Sequence, residues 1–116
     1  MITVNMDINE EKKTLSLTLS GHAGQAAAGY DIICASATIL AYTVAQVIKL
    51  MQKDKLLAKK PVIRLKEGDI EISCCCDSKE NYASAFHTYF TAQVGYSLLA
   101  HNYPQYITFQ TLGKPV

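Results

Sequence analysis

"TLSLTLSGHAGQAAAGYDIICASATIL" (Thr14–Leu40) contains a change of period. Leu15, Leu17 and Leu19 alternate with hydroxyl residues, the two-residue repeat of a strand buried on one face. A run of small residues follows from Gly21 to Tyr30. Beyond it, Ile33, Ala37, Leu40, Val44, Val47 and Met51 recur at helical spacing. The chain passes from strand to helix through a glycine-rich loop, with Asp31 as the expected helix cap.

The flanking sequence repeats the plan. Upstream, Ile2, Val4, Met6 and Ile8 alternate, and Asn9 to Lys13 supply a polar turn, so the first two strands form a hairpin. Downstream, Pro61 marks a boundary. Val62–Lys66 reads as a third strand and Glu67–Asp69 as a tight turn. Ile70, Ile72, Cys74 and Cys76 then point one way, with Glu71, Ser73 and Cys75 the other. Asp77 or Ser78 caps a second helix, Glu80 standing three residues after Asp77 as in a capping box. That helix runs to about Asn102, because Pro104 restricts the residue before it. Tyr106–Leu112 closes the chain as a strand. The order ββαββαβ predicts one α+β domain over residues 1–116, a mixed or antiparallel sheet with two helices packed on it.

The helices carry sharper expectations. The first is apolar around much of its circumference, which predicts deep burial. The second carries two stripes: Tyr82, Tyr89, Tyr96 and Tyr103 recur every seven residues, beside Ala83, Phe86, Phe90, Val94 and Leu98. The phenylalanine stripe is expected to face the sheet, leaving the tyrosines to rim it or to meet a second copy of the chain.

With 116 residues, 49% hydrophobic and 18% charged, the chain has the composition of one folded core. Its formal net charge of +1 gives no electrostatic grip on nucleic acid or an anionic membrane. Lys53, Lys55, Lys59, Lys60, Arg64 and Lys66 cluster, but Asp54 and apolar residues interrupt them, as in a solvated helix end and loop. The N-terminus lacks the basic start and apolar run of a leader. Ile32–Met51 contains Ser36, Thr38, Thr43, Gln46 and Lys49, which makes a poor membrane span. The cytoplasm is the expected compartment, with the four cysteines as thiols. No cofactor or metal is expected: adjacent cysteines at 74–76 point to alternating faces, and His87 and His101 lie about 21 Å apart along their helix.

The chemistry gathers around Cys34. Three residues past Asp31, it is expected within the first helical turn, where unpaired N–H groups and the positive end of the helix dipole favour a thiolate. His22 lies twelve residues upstream, across a loop containing Gly24 and Gly29, a separation easily folded back. Thiol, imidazole and amide donors are the parts of a nucleophilic cysteine site. A cysteine at a helix start is also often a small buried hydrophobe, and spacing alone leaves both readings open.

The whole string Gly21-His22-Ala23, Gly29, Asp31-Ile32-Ile33-Cys34-Ala35 and Thr38 resembles the signature of the ribosomal-processing cysteine protease family, Prp. Tyr103–Ile107, "YPQYI", resembles the family's ending. The resemblance implies a bacterial endopeptidase that removes an N-terminal extension from the large-subunit ribosomal protein L twenty-seven, so the partner would be that precursor. It implies a homodimer with a mixed sheet and two helices. It implies Cys34 as nucleophile and His22 as general base. Asp31 would cap the helix, orient His22 or hold the loop, while Gly21, Ala23, Gly24, Gly29, Ala35 and Thr38 would shape the loop and the substrate site. The chain departs from the family at Ser36, Ala37 and Thr38, and at Gln25 and Ala28 in the loop. An alternative is a non-catalytic peptide-binding or ribosome-associated module of the same shape. A thiol redox protein is disfavoured because no Cys-x-x-Cys accompanies Cys34.

Overall fold

The computed structural model of the chain describes residues 1–21 and 28–113, residues 28–31 by their backbone alone. The elements are β1 (Ile2–Asn9), β2 (Thr14–Ser20), α1 (Ala28–Lys53), β3 (Val62–Lys66), β4 (Asp69–Cys75), α2 (Lys79–Asn102) and β5 (Ile107–Leu112). This is the expected ββαββαβ order. The five strands form one mixed sheet in the order β3-β4-β2-β1-β5, in which β5 runs parallel to β1 and the other neighbours are antiparallel.

Each helix links two parallel strands, α1 between β2 and β3, α2 between β4 and β5. The two crossovers start from strands of opposite direction and travel to opposite edges. The right-handed rule for such connections therefore puts both helices on one face of the sheet. That face supplies the core: Val4, Met6 and Ile8 pair with Leu19, Leu17 and Leu15, which pair in turn with Ile70, Ile72 and Cys74. All nine are buried. The opposite face is polar, and one chain of hydrogen bonds crosses three of its strands. Ser16 bonds Ser73, the Ser73 hydroxyl donates to Glu71, and Arg64 donates to both Glu71 and Asp69. At the β3–β4 turn Gly68 has φ +73, a left-handed conformation that glycine adopts without strain.

The second helix corrects the stripe assignment. Tyr82, Tyr89 and Tyr96 are buried against the sheet and α1, whereas Phe90, Val94 and Leu98 stand in solvent. A phenol reaches further than a phenyl ring and can satisfy its own hydroxyl. Tyr89 donates to the Ile72 carbonyl of β4 and Tyr96 to the Ala37 carbonyl of α1, both at 2.8 Å. With partners for both hydroxyls, the tyrosine stripe buries large rings at little polar cost. The helix starts at one of its two expected caps, but without the capping box. Ser78 is the cap, accepting from the Asn81 amide, while Asp77 accepts from the Asn81 side chain, so Glu80 closes no capping box.

The first helix is half-exposed rather than deeply buried. Ile33, Ala37, Ala41, Val44, Ala45, Ile48 and Met51 form its buried face, with Leu40 and Val47 packed at the margin. Ile32, Ile39, Tyr42 and Leu50 are exposed. Contrary to the sequence reading, Ile32–Lys53 is long and apolar enough to cross a membrane by length and composition. Here its buried face is a wall of the core.

Candidate active site

Cys34 is half-buried on the N-terminal half of α1 and lines an open groove of about 460 Å³. One wall is α1 itself, through Cys34, Ala35, Thr38, Ile39 and Tyr42. The floor is the apolar end of the sheet, with Ile2, Leu19 and Ile70. The opposite rim is the β3–β4 turn, Lys66 to Asp69. Thr38 stands one turn beyond Cys34 on the same side of the helix and lines the same groove. On the rim, the Arg64 guanidinium hydrogen-bonds Asp69 and holds that carboxyl below its ordinary range.

Gly21 closes the groove where β2 ends. Its φ is +103, its amide donates to the Gly68 carbonyl, and a Cβ placed there would overlap the Met1 carbonyl oxygen. The glycine therefore lets β2, the chain's first residues and the β3–β4 turn meet at one point. His22 is the next residue in sequence.

The start of α1 corrects the expected environment of the thiol. The helix begins at Ala28, so Asp31 is its fourth residue rather than its cap, and Cys34 its seventh. The Cys34 amide then belongs to the helical ladder and is no oxyanion donor. The helix dipole acts mainly within the first turn, so its hold on this sulfur is weaker than the sequence implied.

A model of the family described as cysteine protease Prp matches residues 1–108. The chain belongs to the Prp family. It is therefore a cysteine peptidase, and its fold agrees with solved relatives. The Staphylococcus aureus ribosomal processing protease Prp, solved with a substrate peptide, is 22% identical, over 96% of this chain and 99% of that one, with a TM-score of 0.69. The same protease with a covalently linked product peptide is 23% identical, with the same coverage and a TM-score of 0.66. SMU.848 from Streptococcus mutans is 20% identical over 98% and 96% of the two chains, at a TM-score of 0.69. No curated protein matches the chain.

In this Prp-family chain the groove brings together Gly21, Cys34, Ala35 and Thr38 of the expected site residues. His22, Ala23 and Gly24 lie outside the described residues, and Gly29 and Asp31 are placed by the backbone of α1 alone. Sequence reasoning missed Ile39, Tyr42 and the β3–β4 turn. The helical repeat carried a signal for Tyr42, because Cys34, Thr38 and Tyr42 are spaced by four. The turn reaches the site only through sheet register, which no local pattern encodes.

The remaining cysteines sit elsewhere. Cys74 and Cys76 are buried in the core and Cys75 faces the other side, as the strand alternation predicts. A hydrogen bond between Cys76 and Cys74, followed by burial, pushes the Cys74 thiol up, and the same bond draws the Cys76 thiol down. Among the described residues no group of three or more His, Cys, Asp or Glu could hold a metal ion. His87 and His101 are exposed on α2.

Proposed function

We propose that Cys34 is the nucleophile and His22 the general base of an endopeptidase that removes the N-terminal extension of the large-subunit ribosomal protein L twenty-seven. The observation that carries this reading is the placement of Cys34 on the wall of an open, mainly apolar groove of about 460 Å³, room enough for an extended peptide segment. A relative solved with a substrate peptide shares the fold and supports it.

In this reading the imidazole takes the thiol proton and the sulfur adds to the scissile carbonyl. The tetrahedral adduct collapses to a thioester as the amine leaves with that proton, and water, activated by the same imidazole, releases the acyl product. Because the helix dipole contributes little at the seventh residue, activation of the sulfur falls mainly to His22. Asp31, in the first turn of α1, is well placed to complement the dipole, a supporting role. The work belongs to the cytoplasm, where the precursor is made.

A homodimer fits the same reading. Ile39, Leu40, Leu98, Leu99 and Tyr103 line an apolar groove across the outer faces of α1 and α2. An exposed patch of this kind is the mark of a contact surface. A single-chain mass in light scattering contradicts that part.

Incubating the purified protein with the precursor, or with a peptide spanning its extension junction, tests the chemistry. Cys34→Ala lowers kcat/KM by about a thousandfold or more, and His22→Ala by about a hundredfold or more. Undiminished cleavage by Cys34→Ala overturns the assignment. Binding of the peptide without cleavage by the wild type supports the non-catalytic module instead.

A further inference from the structure

Resting on the peptidase reading of the Cys34 groove, we propose that Tyr42, backed by Ile39, reads the peptide residue three or four positions from the scissile bond and selects a large apolar or aromatic side chain there. Cys34, Thr38 and Tyr42 stand at i, i+4 and i+8 on α1, one line along the helix, and all three face the groove. Eight helical residues rise by about 12 Å. An extended peptide advances by about 3.3 Å per residue. A chain lying along α1, with its reacting carbonyl at the Cys34 sulfur, therefore brings its third or fourth residue to Tyr42.

The surroundings fix the chemical class of that residue. Ile39 and Tyr42 are 62% and 44% exposed, although both are large side chains at the mouth of a groove floored by Ile2, Leu19 and Ile70. Tyr42 keeps apolar surface that an occupant of this groove covers, and Ile39, which also lines the apolar groove between α1 and α2, stands beside it. A phenol ring offers a flat face for stacking and a polar tip, the usual equipment of a recognition residue. The charged groups nearby, Lys66, Glu67 and Asp69, belong to the opposite rim, and Asp69 is already paired with Arg64. They flank the peptide without forming the wall at Tyr42.

A set of junction peptides, each with one residue replaced by alanine on either side of the cut, tests the proposal. Wild type, Tyr42→Phe and Tyr42→Ala are compared through kcat and KM. In the wild type, alanine at the third or fourth position on one side raises KM by about tenfold or more, the scale of an apolar subsite. Tyr42→Phe keeps that preference and Tyr42→Ala erases it. Affinities of the same peptides for Cys34→Ala and for Cys34→Ala/Tyr42→Ala, by fluorescence anisotropy, show the same pattern without turnover. Cleavage whose position profile is unchanged in Tyr42→Ala overturns the role of Tyr42 and leaves the peptidase reading intact. If the wild type cleaves nothing, that reading fails. The affinities then still decide: a Tyr42-dependent loss at the third or fourth position upholds the subsite, and equal losses in both backgrounds overturn it.

Discussion

At the scale of single residues, Gly21 does the most with the least. Its positive φ and its contact with the Met1 carbonyl leave no room for a side chain, and it joins three segments at the mouth of the Cys34 groove. Gly21→Ala is expected to cost about 2 kcal/mol or more, from backbone strain and the overlap together. Chemical denaturation checks it; a stability within about 0.5 kcal/mol of the wild type, the range of an ordinary surface substitution, contradicts it. The sequence marked Gly21 as part of a motif, but the reason for a glycine there was not legible in it. The steric demand comes from Met1, twenty residues away in the chain, and appears only when β1 and β2 pair.

At the scale of elements, α2 is tied to its neighbours by the hydroxyls of its tyrosines. Tyr96 is fully buried, stacks on Phe109 of β5 and bonds the Ala37 carbonyl, between Cys34 and Thr38 on α1. It thereby fixes the turn of α1 that carries the candidate nucleophile. Tyr96→Phe is expected to lose about 1 kcal/mol of stability, one net hydrogen bond, since the Ala37 carbonyl keeps its helical partner. An unchanged denaturation midpoint contradicts this. The two stripes of α2 were legible as stripes, and their assignment was not. Hydrophobicity ranks phenylalanine as the inner residue, whereas reach and a bonded hydroxyl decide for tyrosine. The start of α1 was misread for a related reason: Ala28-Gly29-Tyr30 continues a small-residue run that resembles a loop, yet nothing in it forbids a helix. The strands were read closely because each alternates over a single buried face, a signal independent of partners.

At the scale of the whole molecule, burial of phenols makes stability depend on alkaline pH. Desolvation raises the Tyr89 and Tyr96 phenols above the ordinary tyrosine value near 10. The unfolded chain therefore releases these protons at a lower pH than the folded one. Their contribution is whole below about pH 10 and is lost as pH rises beyond it, by at most about 1.4 kcal/mol per pH unit for each phenol. Denaturation midpoints taken from pH 8 to 11 are expected to fall above pH 10, less steeply in Tyr96→Phe; a level wild-type curve contradicts the prediction. The same two-layer plan sets the site. One sheet face carries both helices, the end of that sheet floors the groove, and Cys34 stands on its wall; His22 is the base proposed for it. The alkylation rate of Cys34 by iodoacetamide against pH, followed by intact mass in the wild type and in His22→Ala, tests that pairing most directly. The account predicts a reactive population persisting well below pH 8 in the wild type and lost in His22→Ala. Labelling that tracks an ordinary thiol near pH 8.5 in both proteins contradicts it.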